Sequence, residues 1–394
     1  MGSQLHYEEW VRGSSILGVV ASPGCTVSPR FVRGFFFAPR LSVKQNAMVA
    51  CYTNELNMGL YGNWIQRWER ELATKDTNRI VRPFEWGLDW LDGVHRNGNP
   101  ARDLTDFVES NLADSERFYS YATPSDFRLT GNELTFTSPV STPYPSNNTA
   151  YGDFFPAAKD RDRAVLVLPQ WNSDINGHVG LCKLLNRFGV TALRMSMAYH
   201  DRRMPPELTR ADYHMSSNLG RTISAMRQSV IDARCCLDWL QAQGYKKLAI
   251  LGTSLGSCVA FVTAAHDLRI RAGVFNHVST YVSDVVWTGI STRHVKEGLG
   301  GNVSRDDLKK YWSVISPAPY LQRMVSREMN FLLIWARYDT TFLPEYSRQV
   351  LDQFRKLKLK HKVFELPCAH YTTGKFPFNL MDGLAMCRYL RRHL

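Results

Sequence analysis

The chain has 394 residues, 44% hydrophobic and 21% charged, a balance that excludes a disordered or collagen-like polymer and allows a large core without disulfide staples. Its formal net charge of +12 favours anionic partners, but the basic residues are dispersed. The densest run, Arg355, Lys356, Lys358, Lys360, His361 and Lys362, reads as a solvated face; without zinc-finger spacing or an aromatic-interleaved RNA motif, no nucleic-acid partner is expected.

Residues 1–118 hold five of the ten tryptophans, Trp10, Trp64, Trp68, Trp86 and Trp90. The stretch with Pro23, Gly24, Pro29 and Pro39 is irregular. Leu60, Trp64, Trp68 and Leu72 then form one helical stripe, and Trp86 and Trp90 repeat the spacing. These stripes predict a helical extension over residues 1–118 that packs on the core, since aromatic side chains bury too much surface to be left in water. A cover over an active site is the sharper reading of the same stripes.

From residue 119 the pattern turns strand-like. Phe127 to Thr130, Gly131-Asn132, and Leu134 to Thr137 predict a hairpin, and Tyr151 to Phe155 a further strand. Strands and helices then alternate. Strands are expected at Ala164–Leu168, Val190–Met195, Leu248–Leu251, Ile270–Phe275, Phe331–Trp335 and Lys362–Leu366. Helices are expected at Gly180–Phe188, Ile223–Gln243, Leu255–Ala265 and along Leu380, Leu384, Cys387 and Leu390. This order implies an α/β architecture over residues 119–394, a doubly wound and mostly parallel sheet covered on both faces. The connection from about residue 280 to 321, with Trp287, His294, Lys309, Tyr311 and Trp312, is long and is expected to form a helical cap.

The eight cysteines, Cys25, Cys51, Cys182, Cys235, Cys236, Cys258, Cys368 and Cys387, show no C-x-x-C pair and read as free thiols of a reducing compartment. Triplets at Asn147 and Asn302 match glycosylation acceptors, a pattern common by chance. No run is apolar for long enough to span a membrane, and the short stretch Ile16 to Ala21 follows Glu8 and Glu9 where an export signal would be positive. A cytoplasmic location is therefore expected.

The informative motif is Gly252-Thr253-Ser254-Leu255-Gly256. An apolar strand runs into it and a helix of small residues leaves it, the setting in which a serine hydroxyl is raised on a sharp turn as a nucleophile. Glycines at both ends relieve crowding there, and the helix start favours negative charge near Ser254.

With this motif, the stretch from about residue 125 to the end resembles the α/β-hydrolase superfamily of serine hydrolases. The N-terminal helical segment and Phe136-Thr137-Ser138-Pro139 also resemble a branch of α/β-hydrolase-domain proteins, from which no substrate is carried over. The resemblance implies the order serine, acid, histidine. Asp339 follows the strand Phe331–Trp335, and His370 follows Lys362–Leu366. His370 would be the general base, with Asp339 fixing its tautomer. His200 and His277 also follow strands but precede Asp339; His277 reads as a structural histidine that could line the pocket. The oxyanion donors would be the backbone amides of Leu255 and of Trp171, with Gln170 second, in the loop Pro169-Gln170-Trp171-Asn172 where many relatives carry His-Gly.

No metal-ligand spacing, dinucleotide fingerprint or P-loop is present, so neither metal nor cofactor is expected. The expected reaction is hydrolysis of a small-molecule carboxylic ester through an acyl-enzyme. Thioesters and peptides use the same triad, and a non-catalytic binding protein that keeps the fold is the rival from another class.

Overall fold

Apolar strand runs separated by one-sided helices can bury both kinds of element when the helices cover a sheet on its two faces. The computed structural model describes residues 59–158 and 162–394. The expectations for Glu8 to Ala21, Trp10, Cys25, Cys51 and the segment from Pro23 to Pro39 therefore lie outside the described residues.

Helix α1 (Gly59–Ala73) buries Gly62, Ile65, Glu69 and Ala73. This corrects the expected stripe: Leu60 is 92% and Trp64 51% exposed. The helix is turned so that Glu69 meets the backbone amides of Tyr371 and Thr372, while Trp64 and Trp68 pack on each other along its flank. Trp86 and Trp90 do not share a helix either. Pro83 and the left-handed Gly87 (φ 63°) interrupt the segment, and Trp90 ends a single 3₁₀ turn over Leu88–Trp90. Their rings are used separately, Trp86 against Tyr311 and Trp90 stacked on Tyr144. Helix α2 (Pro100–Ala113) starts from an Asn99 cap with proline in its first turn, and buries Leu104, Phe107 and Val108.

Strands β1 (Arg128–Thr130) and β2 (Glu133–Thr137) form an antiparallel hairpin about Gly131, followed by β3 (Thr149–Phe155) and β4 (Arg163–Leu168). The alternation continues with α3 (Val179–Arg187), β5 (Thr191–Ser196), α4 (Leu219–Ala242), β6 (Lys247–Thr253), α5 (Leu255–His266) and β7 (Ile270–Asn276). Three short helices, α6 (Val282–Thr288), α7 (Arg293–Leu299) and α8 (Arg305–Tyr311), precede β8 (Asn330–Ala336). The chain closes with α9 (Pro344–Lys356), β9 (His361–Leu366) and α10 (Phe378–His393). The nine-stranded sheet has the order β1-β2-β3-β5-β4-β6-β7-β8-β9. It is antiparallel from β1 to β5 and parallel from there on. Strand β6 lies near its middle between β4 and β7, so its C-terminal end opens where the connecting loops gather.

The core covers both faces of the sheet and includes Leu104, Val108 and Phe118 from the N-terminal segment. Inside it, Arg203 and Asp232 are both fully buried and pair at 2.8 Å. Ser138 donates to the same carboxylate at 2.7 Å, so the Phe136–Pro139 phrase ends in a polar anchor within the core. Asn147 is fully buried and bonded to Gln228, which closes the acceptor triplet there. Cys182, Cys235, Cys236, Cys258, Cys368 and Cys387 are buried free thiols. Among the described residues no helix is long and apolar enough to cross a membrane.

Asp232→Ala leaves the buried Arg203 cation without its counter-charge and is expected to destabilise the fold by about 3–5 kcal/mol. Urea unfolding followed by circular dichroism measures this; a change under about 0.5 kcal/mol, typical of surface positions, contradicts it.

Candidate active site

Strand β6 ends at Thr253 and α5 begins at Leu255, which leaves Ser254 alone to reverse the chain. Its backbone sits at φ 56°, ψ −124°, a sparsely populated conformation that costs a non-glycine residue about 1–3 kcal/mol. Two contacts hold it there: the Ser254 amide donates to the Asn276 carbonyl at 2.8 Å, and the Ser257 hydroxyl donates to the Ser254 carbonyl at 2.6 Å. The flanking glycines are sterically required. A Cβ on Gly252 would lie 2.2 Å from the Gly256 carbonyl oxygen, and one on Gly256 would lie 2.3 Å from that of Pro169.

The end of β8 and the end of β9 deliver the two other expected residues to this turn. Asp339 is buried, and its Oδ1 accepts the amides of Thr341 and Phe342 at 2.8 Å each. Its Oδ2 faces His370 Nδ1 at 3.0 Å, and His370 Nε2 faces Ser254 Oγ at 3.0 Å. The structure thus brings Ser254, His370 and Asp339 into one hydrogen-bonded line. The imidazole is also clamped by the stacked Phe342 ring, 5.4 Å away and 4° from parallel.

Charge follows from these partners. Burial alone would raise the Asp339 carboxyl, but His370, through its charge and its hydrogen bond, and the nearby His277 ring overcome it and hold the group well below the usual carboxylate range. Burial pushes the His370 ring down; the Asp339 charge, its hydrogen bond and the Glu69 charge outweigh that and raise it above 6.5.

The expected oxyanion residues line the same cavity as Ser254. Leu255 opens α5, and Trp171 sits in the loop after β4 whose Leu168 and Pro169 carbonyls press on Gly256. Neither backbone amide donates to another group among the described residues. The Trp171 indole donates to the Ala211 carbonyl at 3.0 Å, stacks with the His294 ring and carries the Arg210 guanidinium over its ring, which fixes the loop. Gln170 also lines the cavity.

Ser254, His370, Leu255, Trp171 and Phe342 border one cavity of about 690 Å³, with Asp339 behind His370. The cap helix α6 contributes Val282, Val285 and Val286 to it, and α10 contributes Leu380 and Met386 from the other side. His178 also lines it, but burial, reinforced by Arg194, pushes that ring down to about 4, and its Nε2 is bound to Thr253 rather than Ser254.

Two residues here carry no catalytic sign in the sequence, although His277 is noted as able to line the pocket, and it does. His277, read as structural, packs its ring on His370 and places Nδ1 3.0 Å from Asp339 Oδ2, though without hydrogen-bond alignment. Its position at the end of β7, beside Ser254 in the sheet order, was the available signal. Glu69 on α1 is the second, and nothing near it in the sequence marks it. His277, Asp339 and His370 offer donor atoms within 4.8 Å of one another. Asp339 already uses one oxygen on two amides and the other on His370, an arrangement made for holding a proton between partners.

No protein-family model matches the chain, and no curated protein sequence matches it. Among solved structures it is similar to acylaminoacyl peptidase from Pyrococcus horikoshii, with a TM-score of 0.52 and 14% identity over 71% of this chain and 43% of that one. It is also similar to acetyl xylan esterase 1 from Thermoanaerobacterium sp. JW/SL YS485, with a TM-score of 0.51 and 11% identity over 82% of this chain and 98% of that one. The chain spans under half the length of the peptidase. Likeness at these identities defines the fold: the chain has the α/β-hydrolase fold.

The raised His370 ring sets a sign for pH dependence. Only the neutral imidazole accepts a proton, so any turnover that uses His370 as its base should rise with pH through an ionisation above 6.5, the ordinary histidine value, and be lost below it. A kcat/KM profile on stable protein measures the midpoint; a flat profile, or one centred below that value, contradicts the assignment.

Proposed function

We propose that the chain is a serine hydrolase that cleaves small-molecule carboxylic esters through an acyl-enzyme. One observation carries the reading: an unbroken line from Ser254 Oγ through His370 to Asp339, 3.0 Å at each step, on the wall of a cavity large enough for a substrate.

In this reading His370 Nε2 takes the Ser254 proton as Oγ attacks the ester carbonyl carbon. The carbonyl electron pair moves onto oxygen, where the free amides of Leu255 and Trp171 would receive it. Collapse of the tetrahedral intermediate expels the alcohol, which leaves with the proton held by His370. Water then repeats the sequence on the acyl-enzyme, with His370 again as base, and releases the carboxylic acid. Asp339 holds the imidazole tautomer and balances its positive charge throughout. The apolar side chains from α6 and α10 favour an apolar acyl or alcohol group. Thioester and amide bonds fit the same chemistry, and p-nitrophenyl esters of rising acyl length test the ester reading first.

A fluorophosphonate probe should label the wild-type chain at Ser254 and leave Ser254→Ala unlabelled. Ser254→Ala should also lose ester turnover by a factor on the order of 10⁶, the scale seen when a triad serine is removed. Wild-type turnover by Ser254→Ala would sink the assignment; absence of both labelling and turnover in the wild type would favour a binding protein.

A further inference from the structure

Helix α1 carries a carboxylate into the protein where a water-facing residue is the ordinary expectation. Glu69 is fully buried, and among the described residues no lysine or arginine forms an ion pair with it. Its oxygens instead accept the backbone amide of Tyr371 at 2.9 and 3.0 Å, the amide of Thr372 at 3.1 Å and the hydroxyl of Thr340 at 3.2 Å. Tyr371 and Thr372 directly follow His370, and Thr340 directly follows Asp339. One side chain thus ties together the two loops that deliver the acid and the base, loops that leave different strands, β8 and β9.

We propose that Glu69 is a positioning residue of the active site: it holds the His370 and Asp339 loops in register, and its negative charge supports the His370 imidazolium. The inference rests on the serine hydrolase reading and adds to it a part supplied from outside the sheet.

Two neighbours on the same N-terminal segment act on the same loop. The Tyr61 hydroxyl donates to the Pro367 carbonyl at 2.6 Å, and Arg79 Nη2 donates to the Tyr371 hydroxyl at 2.6 Å. The loop from Pro367 to Thr372 is therefore fastened at its start, at the residues after the imidazole and at its aromatic tip. A relay of two 3.0 Å hydrogen bonds leaves little room for error, since a shift of about 1 Å in a reacting group costs about 10²-fold in rate.

A merely structural staple would need no charge, and charge is what separates the two roles. Burial raises the Glu69 carboxyl, while the His370 charge and the amide bonds oppose this. The other titratable groups facing the pair are Asp339 and His277 from the strand ends, Tyr371 and Cys368 on the His370 loop, and Arg79, Arg210 and Asp76 beyond Tyr371. None of them is altered in a Glu69 variant. An anion beside an imidazolium favours its protonated form, so removing the Glu69 charge should lower the His370 ionisation.

The test is p-nitrophenyl ester hydrolysis by the full-length chain from about pH 5 to about pH 9, spanning histidine titration. Wild type is compared with Glu69→Gln, Thr340→Val and Ser254→Ala, with a thermal melt on each. Glu69→Gln is expected to fold, to lose about 10- to 100-fold in kcat with KM little changed, and to show its acid limb at lower pH than wild type. Thr340→Val removes one bond to the carboxylate and keeps its charge; it should lower kcat less and leave the acid limb in place. Wild-type kcat in Glu69→Gln, or a loss with an unmoved acid limb, overturns the proposal. Should Glu69→Gln fail to fold, Thr340→Val decides: reduced kcat on an intact fold supports the proposal and wild-type kcat overturns it. Ser254→Ala keeps the two readings apart. If it turns over like wild type, the triad assignment falls; if it is inactive while the Glu69 and Thr340 variants are normal, only the positioning role falls.

Discussion

The turn at Ser254 closes only because positions 252 and 256 carry no side chain, and much of the site depends on that contact. Without Cβ atoms, the carbonyl of Gly256 can approach Gly252 and the carbonyls of Leu168 and Pro169 can approach Gly256. The first approach holds Ser254 in a conformation that lifts its hydroxyl off the strand line. The second draws the loop after β4 against the start of α5, so the residue after the nucleophile and the loop carrying Trp171 line the same cavity as the hydroxyl. A free amide at the head of a twelve-residue helix is also where negative charge is best tolerated. A steric allowance at two residues thus sets an electrostatic property of the pocket.

The second constraint is the treatment of charge in a site shielded from water. Three histidines gather near Ser254, and their partners divide them. His178 and His277 are pushed down by burial, whereas His370 is pushed up because Asp339 accepts directly from it and Glu69 stands behind it. Asp339 can stay ionised while buried because two amides and the His370 ring surround its oxygens. With Nδ1 committed to Asp339, Nε2 is left to face Ser254, and the tautomer needed for base chemistry follows from the hydrogen bonds alone.

The parts of this arrangement that were legible in the sequence are those with a local cause. Strands buried on both faces must be apolar throughout, so Ala164–Leu168, Leu248–Leu251 and Phe331–Trp335 stood out as runs. Ser254 and Asp339 each follow such a run and His370 follows the more polar edge strand His361–Leu366, and ends of parallel strands are where loops carry side chains to a common edge. The N-terminal helix was misread for the opposite reason. Two tryptophans four apart suggest a buried stripe, but the face that packs is chosen by what it meets. Here the far surface offers open backbone amides, and Glu69 rather than Trp64 turns inward. Trp86 and Trp90 share the helical spacing without the helix; Pro83 and Gly87, both visible in the sequence, were the stronger local signal. His277 was legible as a strand-end residue, but its approach to Asp339 joins two strands that only the fold makes neighbours.

Loops at the ends of parallel strands leave backbone amides that no ladder satisfies, and each needs a partner or water. Water beside Tyr371 and Thr372 would stand one residue from the His370 imidazole and would screen its attraction to Asp339. A carboxylate in that place satisfies the same amides, excludes solvent and adds a charge of the sign an imidazolium requires. An amide or hydroxyl side chain could meet the first two demands but not the third. The burial of Glu69 without an ion-pair partner, costly for an ordinary helix residue, is consistent with the local needs of this loop, because the groups that compensate it are the loop's own amides and the ring they follow.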